Sequence, residues 1–160
     1  MVYNLIMKKV VLLGDSIRLG YEKYVKDSLD GVAEVYSPKE NCKFTTLDNV
    51  ERDITTDTLL INNGSTPVAI AGIMGGLDSE IVESTSTLTL ESATFDASSI
   101  RKSTVRLAHR TDASMRYEKS LDPEMTITAI ARFVKLLTDI DEKAVVVSAL
   151  TDETAFKYDS

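Results

Sequence analysis

The middle of the sequence repeatedly interrupts short apolar stretches with turn-forming residues. The pair Asp48-Asn49 separates two strand-like runs and predicts a tight β-hairpin. Further strands are predicted at Leu59–Ile61 and Val68–Ala71, and the alternation around Leu90 predicts a half-buried strand. This part of the chain is therefore predicted to form a sheet of short strands.

Two helices are predicted after these strands. Asp96 is positioned to cap the first, and Asp122-Pro123-Glu124 begins the second with a capping acid and a proline in the first turn. A last strand is predicted at Ala144–Val147. The core-facing stripe of the second helix is predicted to comprise Ile127, Ile130, Ala131, Val134 and Leu137.

Residues 7–37 predict a β-α-β block. Val10–Leu13 has the continuous apolar character of a strand buried on both faces, and Gly14-Asp15-Ser16 is expected to end it sharply. A helix follows as far as Leu29, and a short strand is expected around Val35. Together these elements predict an α+β fold: a mixed sheet with helices packed on it and an N-terminal β-α-β block.

The composition excludes several classes of protein. One histidine, His109, and one cysteine, Cys42, exclude an internal disulfide and a Cys/His zinc site. No apolar run approaches the roughly 20 residues that span a bilayer, so we expect a soluble, cytoplasmic protein with no membrane partner. The net charge of -7 argues against generic, charge-driven binding to nucleic acid, and we expect no DNA partner.

The stretch VVLLGDSIRLGY resembles the nucleophile block of the GDSL-type (SGNH) esterase family. That resemblance implies that Ser16 is a catalytic nucleophile at a strand-to-helix turn, activated by a histidine. The family's Asp-x-x-His pair is missing, because Arg106 stands three residues before His109. The alternative is that Ser16 only caps a helix.

A longer resemblance begins at Phe44. The motifs FTTLDNVERDIT, INNGSTPVAIAGIMGGLDSE and LTLESATFDASSIRKSTVRLAHRTDASMRYEKSLDPEM resemble the editing-domain region of the phenylalanine–tRNA ligase beta subunit, in that family's order. The resemblance implies two regions: residues 1–43, a block resembling the start of a GDSL-type hydrolase, and residues 44–160, an editing-domain-like region.

In that family the editing domain hydrolyses tyrosine wrongly attached to the phenylalanine tRNA. A site that hydrogen-bonds the tyrosine hydroxyl discriminates strongly, because phenylalanine leaves its polar groups unpaired. The resemblance implies that Glu91 contacts the hydroxyl, that Gly75 and Gly76 allow close backbone approach, and that Thr111 and Ala113 line the pocket. Four basic residues cluster along the adjoining helix and loop, and we expect them to supply a local phosphate-contacting surface for tRNA in an otherwise acidic chain: Arg101, Lys102, Arg106 and Arg110.

The implied partners are the aminoacylated 3′ end of tRNA and the ligase alpha subunit, and no cofactor or metal is expected. The family's Gly-x-Pro-x-His-Ala-Phe-Asp motif, whose histidine belongs to the editing site, is absent from this sequence. Three hypotheses stay open: an editing-domain fragment or variant, a serine esterase using Ser16, and a non-catalytic tRNA- or amino-acid-binding scaffold. Glu91 has a simpler interpretation as a solvated or salt-bridged acid, and His109 is expected to be exposed and without a role.

Overall fold

The computed structural model of the chain describes residues 9–17, 34–63 and 66–152. A 3₁₀ helix occupies Leu77–Ser79. The strands and α-helices, in chain order, are β1 (Lys9–Ile17), β2 (Glu34–Tyr36), β3 (Cys42–Thr45), β4 (Glu51–Ile54), β5 (Leu60–Asn62), β6 (Pro67–Ile70), β7 (Met74–Gly75), β8 (Thr87–Phe95), α1 (Ala97–Arg106), α2 (Asp112–Tyr117), α3 (Met125–Ile140) and β9 (Val146–Asp152).

The fold is α+β, as predicted, with antiparallel and parallel strand pairs and three α-helices among the described residues. The chain divides into two compact units whose segments alternate along the sequence. Among the residues described, no helix has the length and apolar character needed to cross a membrane. The expected helix ending at Leu29 lies outside the described residues.

The first unit comprises Met1–Ser16, Ile81–Thr94 and Asp122–Ser160. Its sheet has the order β8-β1-β9, and β1 runs parallel to β9. The N-terminal strand is thus the central strand of this sheet. The predicted sharp break after Leu13 is wrong, because β1 continues without interruption to Ile17.

The core of the first unit lies along one side of α3. Ile130, Leu137 and Ala144 are buried there, with Leu88 and Leu90 of β8 packed against them. The predicted stripe is correct at Ile130 and Leu137 and wrong at two positions, since Ile127 and Ala131 are exposed. The buried face is rotated toward Thr126 and Phe133, because β8 rather than helical periodicity alone decides which side of α3 is covered.

The predicted start of α3 is also shifted. The helix begins at Met125 and has Glu124 at its N-cap, without a side-chain cap. Asp122 instead accepts a hydrogen bond from the backbone N–H of Glu124 at 3.0 Å, in the turn before the helix. Asp122-Pro123 therefore lies in the turn that precedes α3, and the helix itself begins at Met125.

The second unit comprises Ile17–Glu80 and Phe95–Leu121. Its four-stranded sheet has the order β2-β5-β6-β7, and the antiparallel pair β3-β4 forms the predicted hairpin. Asn49 supplies the left-handed residue of the hairpin turn, with φ 59°. The predicted cap of α1 is confirmed, since the Asp96 carboxylate accepts a 2.8 Å hydrogen bond from the N–H of Ser99.

The glycine segment, residues 72–76, begins in the turn after β6, where Gly72 lies against the helices of the second unit. Gly72 has φ 64°, and a Cβ there would lie 2.9 Å from Phe95 and 3.0 Å from Ile100. The rings of Phe95 and Tyr117 contact each other with centroids 5.0 Å apart. Only glycine fits this turn, because it tolerates both the left-handed backbone and the packed aromatic neighbour.

Candidate functional site

Glu91 lies in the middle of β8, in the first unit. Leu88 and Leu90 pack toward α3, so alternation along the strand directs Glu91 away from that helix. Its side chain is exposed, and within the described residues it makes no ion pair or hydrogen bond. The alternative of a salt-bridged Glu91 therefore finds no support among those residues.

The carboxyl group of Glu91 is electrostatically unusual. Surrounding protein disfavours its charged form, and this desolvation raises its pKa to about 7. Exposure and desolvation are compatible where a side chain opens to solvent but its carboxyl group is flanked by much protein. At neutral pH such a group is divided between its neutral and charged forms, so it can donate or accept a hydrogen bond.

Gly75 and Gly76 lie in the second unit, at the end of β7 and directly after it. A Cβ on Gly76 would lie 2.7 Å from the Phe44 ring and 2.9 Å from the carbonyl oxygen of Val68. A Cβ on Gly75 would lie 3.0 Å from the Leu47 side chain. On the side where a Cβ would stand, the space beside each glycine is therefore occupied by other residues of the protein. The close approach that was expected from a ligand is made there by these residues.

Thr111 joins the glycine segment to α2. Its hydroxyl donates to the carbonyl oxygen of Ile73 at 2.8 Å and accepts from the N–H of Ser114 at 3.1 Å. Thr111, at the N-cap of α2, is half-buried, and Ala113, in the first turn of α2, is exposed. The structure therefore brings the glycine segment, Thr111 and Ala113 together within the second unit, whereas Glu91 belongs to the first.

The four predicted tRNA-contacting residues differ in their surroundings. Arg106 donates to the Thr55 hydroxyl at 2.8 Å and pairs with Asp57 at 3.3 Å. Lys102 is exposed and has no ion pair among the residues described. Arg101 and Arg110 both bond to one residue further along the chain, Glu118, and this arrangement had no signal in the sequence.

His109 is not the exposed residue that the sequence suggested. It is half-buried, and its Nε2 atom is enclosed without a hydrogen-bond partner in the described structure. Burial, aided by the nearby Arg52 guanidinium, lowers the pKa of His109 against the opposing effect of Asp48. The imidazole is therefore held neutral at physiological pH.

A hydrogen-bonded group on the β3-β4 hairpin lies near His109. The buried Thr46 hydroxyl donates to Asp48 at 2.5 Å and accepts from Nε of Arg52 at 2.9 Å. Arg52 also pairs with Asp48 at 2.5 Å. The hydrogen bond from the Thr46 hydroxyl is the main cause that lowers the pKa of Asp48.

Ser16, the nucleophile of the esterase hypothesis, lies within strand β1. A strand position differs from the expected strand-to-helix turn, where a serine stands near helix N-terminal amides. The strand thus extends past the predicted break at Gly14-Asp15-Ser16, and the nucleophile role of Ser16 stays a prediction. Within the described residues, no group of three or more His, Cys, Asp or Glu side chains is arranged to hold a metal ion.

Comparison with known proteins gives a consistent family. The sequence pattern of the B3/4 domain matches residues 22–142. The phenylalanine–tRNA ligase beta subunit of Clostridium acetobutylicum is 47% identical over 108 residues, which is 68% of this chain and 14% of that protein. The same subunit of Salinibacter ruber is 40% identical over 129 residues, 78% of this chain and 15% of that protein.

A third relative, the phenylalanine–tRNA ligase beta subunit of Halalkalibacterium halodurans, is 48% identical over 102 residues, 64% of this chain and 13% of that protein. The chain thus spans only a small part of the curated relatives that it matches. The B3/4 match starts at residue 22, upstream of the predicted boundary at residue 44. That boundary stays a prediction.

Proposed function

The chain belongs to the B3/4 domain family, and from this membership we propose that it carries the editing-domain region of a phenylalanine–tRNA ligase beta subunit. Its task would be to bind tyrosine attached to tRNA and to promote hydrolysis of the ester. The partners would be the tRNA 3′ end and the ligase alpha subunit, in the cytoplasm. The reaction needs water as co-reactant and no cofactor.

The observation that carries this proposal is the carboxyl group of Glu91. The Glu91 residue as a whole is exposed, its carboxyl group has no partner among the described residues, and desolvation raises the pKa of that group to about 7. A phenol hydroxyl offers such a group both a donor and an acceptor. Phenylalanine would leave the desolvated carboxyl group unpaired, and this cost rejects the correct amino acid from the site.

Recognition and hydrolysis are separate parts of the proposal. Hydrolysis adds water to the ester carbonyl carbon, breaks its bond to the ribose oxygen, and releases tyrosine and free tRNA. We assign Glu91 to recognition of the hydroxyl. We assign no general base, because the family's editing histidine is missing and His109 lies in a different motif.

Binding of free amino acids tests recognition. The unsubstituted chain is expected to bind L-tyrosine about tenfold or more tightly than L-phenylalanine, since a hydrogen bond to a charged group contributes about 1.5–3 kcal/mol. Glu91→Ala should remove the preference, whereas Glu142→Ala, at an exposed acid in the same unit, should keep it. An equal affinity for the two amino acids in the unsubstituted chain would refute the proposal.

Deacylation of Tyr-tRNA tests the chemical step. If the unsubstituted chain accelerates hydrolysis and Glu91→Ala does not, the chain is an editing hydrolase. If the unsubstituted chain and Glu91→Ala both give the spontaneous rate, while the unsubstituted chain still binds tyrosine more tightly than phenylalanine, the chain is a binding scaffold. It then recognises tyrosine without hydrolysing its ester.

A further inference from the structure

Ser92 follows Glu91 in β8 and faces the opposite side of the strand. It shares that side with Leu88 and Leu90, which pack toward α3, and it is half-buried there. Its hydroxyl donates a hydrogen bond of 2.9 Å to the backbone carbonyl oxygen of Thr126, 34 residues further along the chain. β8 is therefore joined to α3 by a polar contact at the residue next to Glu91.

The acceptor of this hydrogen bond is held in place by its own contacts. Thr126 lies in the first turn of α3, is 6% exposed, and donates from its hydroxyl to the Pro123 carbonyl oxygen at 2.9 Å. Its backbone N–H donates to the same oxygen at 3.3 Å. Because a carbonyl oxygen has two lone pairs, that of Thr126 can accept from Ser92 and from its own helix. The Ser92 hydroxyl thus bonds to a fixed point at the start of α3.

The apolar contacts between β8 and α3 hold the two elements together but set their alignment only loosely. Hydrophobic attraction has no preferred direction, so Leu88 and Leu90 would keep much of their burial if β8 shifted slightly along the helix. A hydrogen bond, in contrast, weakens steeply when its distance and angle change. β8 is also an edge strand in the order β8-β1-β9, with one neighbouring strand among those described. The Ser92 hydrogen bond is therefore suited to fix the position of β8 along α3.

We infer that Ser92 is a positioning residue for Glu91: by bonding to Thr126 it fixes where β8 lies along α3, and so where the Glu91 carboxyl group stands. Adjacent Cα atoms are about 3.8 Å apart, so a movement of Ser92 is passed directly to Glu91. A site that recognises one hydroxyl needs its polar group within about 0.5 Å of the productive position. The role of Glu91 rests on the proposed function, whereas the anchoring of β8 rests on the contact itself.

The preference for tyrosine tests this role. Ser92→Ala should lower the ratio of tyrosine affinity to phenylalanine affinity about fivefold, the factor that corresponds to one hydrogen bond. The affinity for phenylalanine should change little, because phenylalanine has no hydroxyl to meet Glu91. Ser92→Thr keeps the hydroxyl and should restore most of the ratio. Equal weakening of both amino acids by Ser92→Ala would mean a merely structural effect and would overturn the inference.

Thr138→Ala is the matched control in the same unit. Its hydroxyl donates to the carbonyl oxygens of Val134 and Lys135 within α3, at 3.0 Å each, so the substitution removes a hydroxyl of the helix without touching β8. The ratio of the two affinities should stay as in the unsubstituted chain. A fall as large as that of Ser92→Ala would contradict a specific role for Ser92.

The titration of the Glu91 carboxyl group, followed by carbon NMR, gives a readout that needs no ligand. Desolvation raises the pKa of this group to about 7. Ser92→Ala should move the pKa of Glu91 down toward its ordinary value of 4.5, because a loosened strand admits water to the carboxyl group. A lower free energy of unfolding with an unchanged pKa of Glu91 would mean that the Ser92 hydroxyl only stabilises the packing of α3, and would overturn the inference.

Ser92→Cys keeps the inference testable if Ser92→Ala does not fold. The thiol fills the space of the hydroxyl but is a weak donor, so this variant should lower both the tyrosine preference and the pKa of Glu91. A Ser92→Cys variant that matches the unsubstituted chain in both quantities would show that side-chain volume, and no hydrogen bond, places Glu91.

The outcomes separate this inference from the proposed function. If the unsubstituted chain binds both amino acids equally while Ser92→Ala still lowers the pKa of Glu91, the proposed function fails and the positioning role stands. If the unsubstituted chain prefers tyrosine and Glu91→Ala removes the preference, whereas Ser92→Ala changes neither quantity, the function stands and the positioning role fails.

Discussion

The Thr111 hydroxyl lies 2.8 Å from the carbonyl oxygen of Ile73 and donates a hydrogen bond to it. The Thr111 hydroxyl oxygen also accepts a hydrogen bond from the N–H of Ser114 and so caps α2. One side chain therefore fixes both the start of a helix and the glycine segment that precedes Gly75. Thr111 thus ties the glycine segment to the start of α2.

Thr111→Val is predicted to destabilise the chain by about 2 kcal/mol. It removes an N-cap bond, which contributes about 1 kcal/mol, and leaves the Ile73 carbonyl without its donor. Thr111→Ser keeps both bonds and should cost far less. Urea unfolding of the two variants measures the difference, and equal midpoints would show that the hydroxyl contributes nothing.

Ala108→Gly is predicted to stabilise the chain by about 0.5–1 kcal/mol. Ala108 has φ 48° just after the end of α1, and this left-handed position strains any residue with a Cβ. Ala129→Gly, in the interior of α3, is the control of opposite sign and should destabilise by about 1 kcal/mol. Thermal unfolding should rank Ala108→Gly above the unsubstituted chain and Ala129→Gly below it.

Gly76→Ala is predicted to destabilise the chain by about 2 kcal/mol, within the range for overpacking. The added Cβ would meet the Phe44 ring at 2.7 Å and the fixed carbonyl of Val68 at 2.9 Å. Gly75→Ala meets only the Leu47 side chain, which can move, and should cost less. Chemical unfolding compares the pair, and a milder effect at Gly76 would contradict this packing.

Glu91 is predicted to make the stability fall as pH rises from about 4.5 to about 7. Its pKa is raised to about 7 in the folded chain from an ordinary value of 4.5, so the folded state binds more protons across this window. Above pH 7 the favourable proton uptake is lost. Glu91→Gln should gain stability relative to the unsubstituted chain between pH 4 and pH 8, and a constant difference in melting temperature would refute the raised pKa.

Several elements were predictable because their cause is local in sequence. Asp48-Asn49 forms its hairpin turn and Asp96 caps its helix, since each depends on residues within a few positions. The apolar runs around Leu60 and Ile70 also predicted strands that the structure contains, because strand preference depends on neighbouring residues. The pocket-lining roles of Thr111 and Ala113 come from the family resemblance and stay predictions.

Other features depended on contacts between distant segments. No pattern in the sequence indicated that His109 would be half-buried, or that Arg106 would bond to Thr55, which lies 51 residues away. The exposure of Ile127 followed from where β8 covers α3.

The sequence by itself determined the α+β class, most of the strands, the two longer helices after β8 and the resemblance of its larger part to the phenylalanine–tRNA ligase beta subunit, whereas it did not indicate β7 or α2. Periodicity, caps and turns require only neighbouring residues, and a family motif requires only their order. Tertiary structure decided that Gly76 makes room for Phe44, that Thr111 holds Ile73, and that Arg101 and Arg110 meet at Glu118. The first two relationships join segments more than 30 residues apart, and the third arises where α1 and α2 pack together. Local sequence patterns therefore do not predict them.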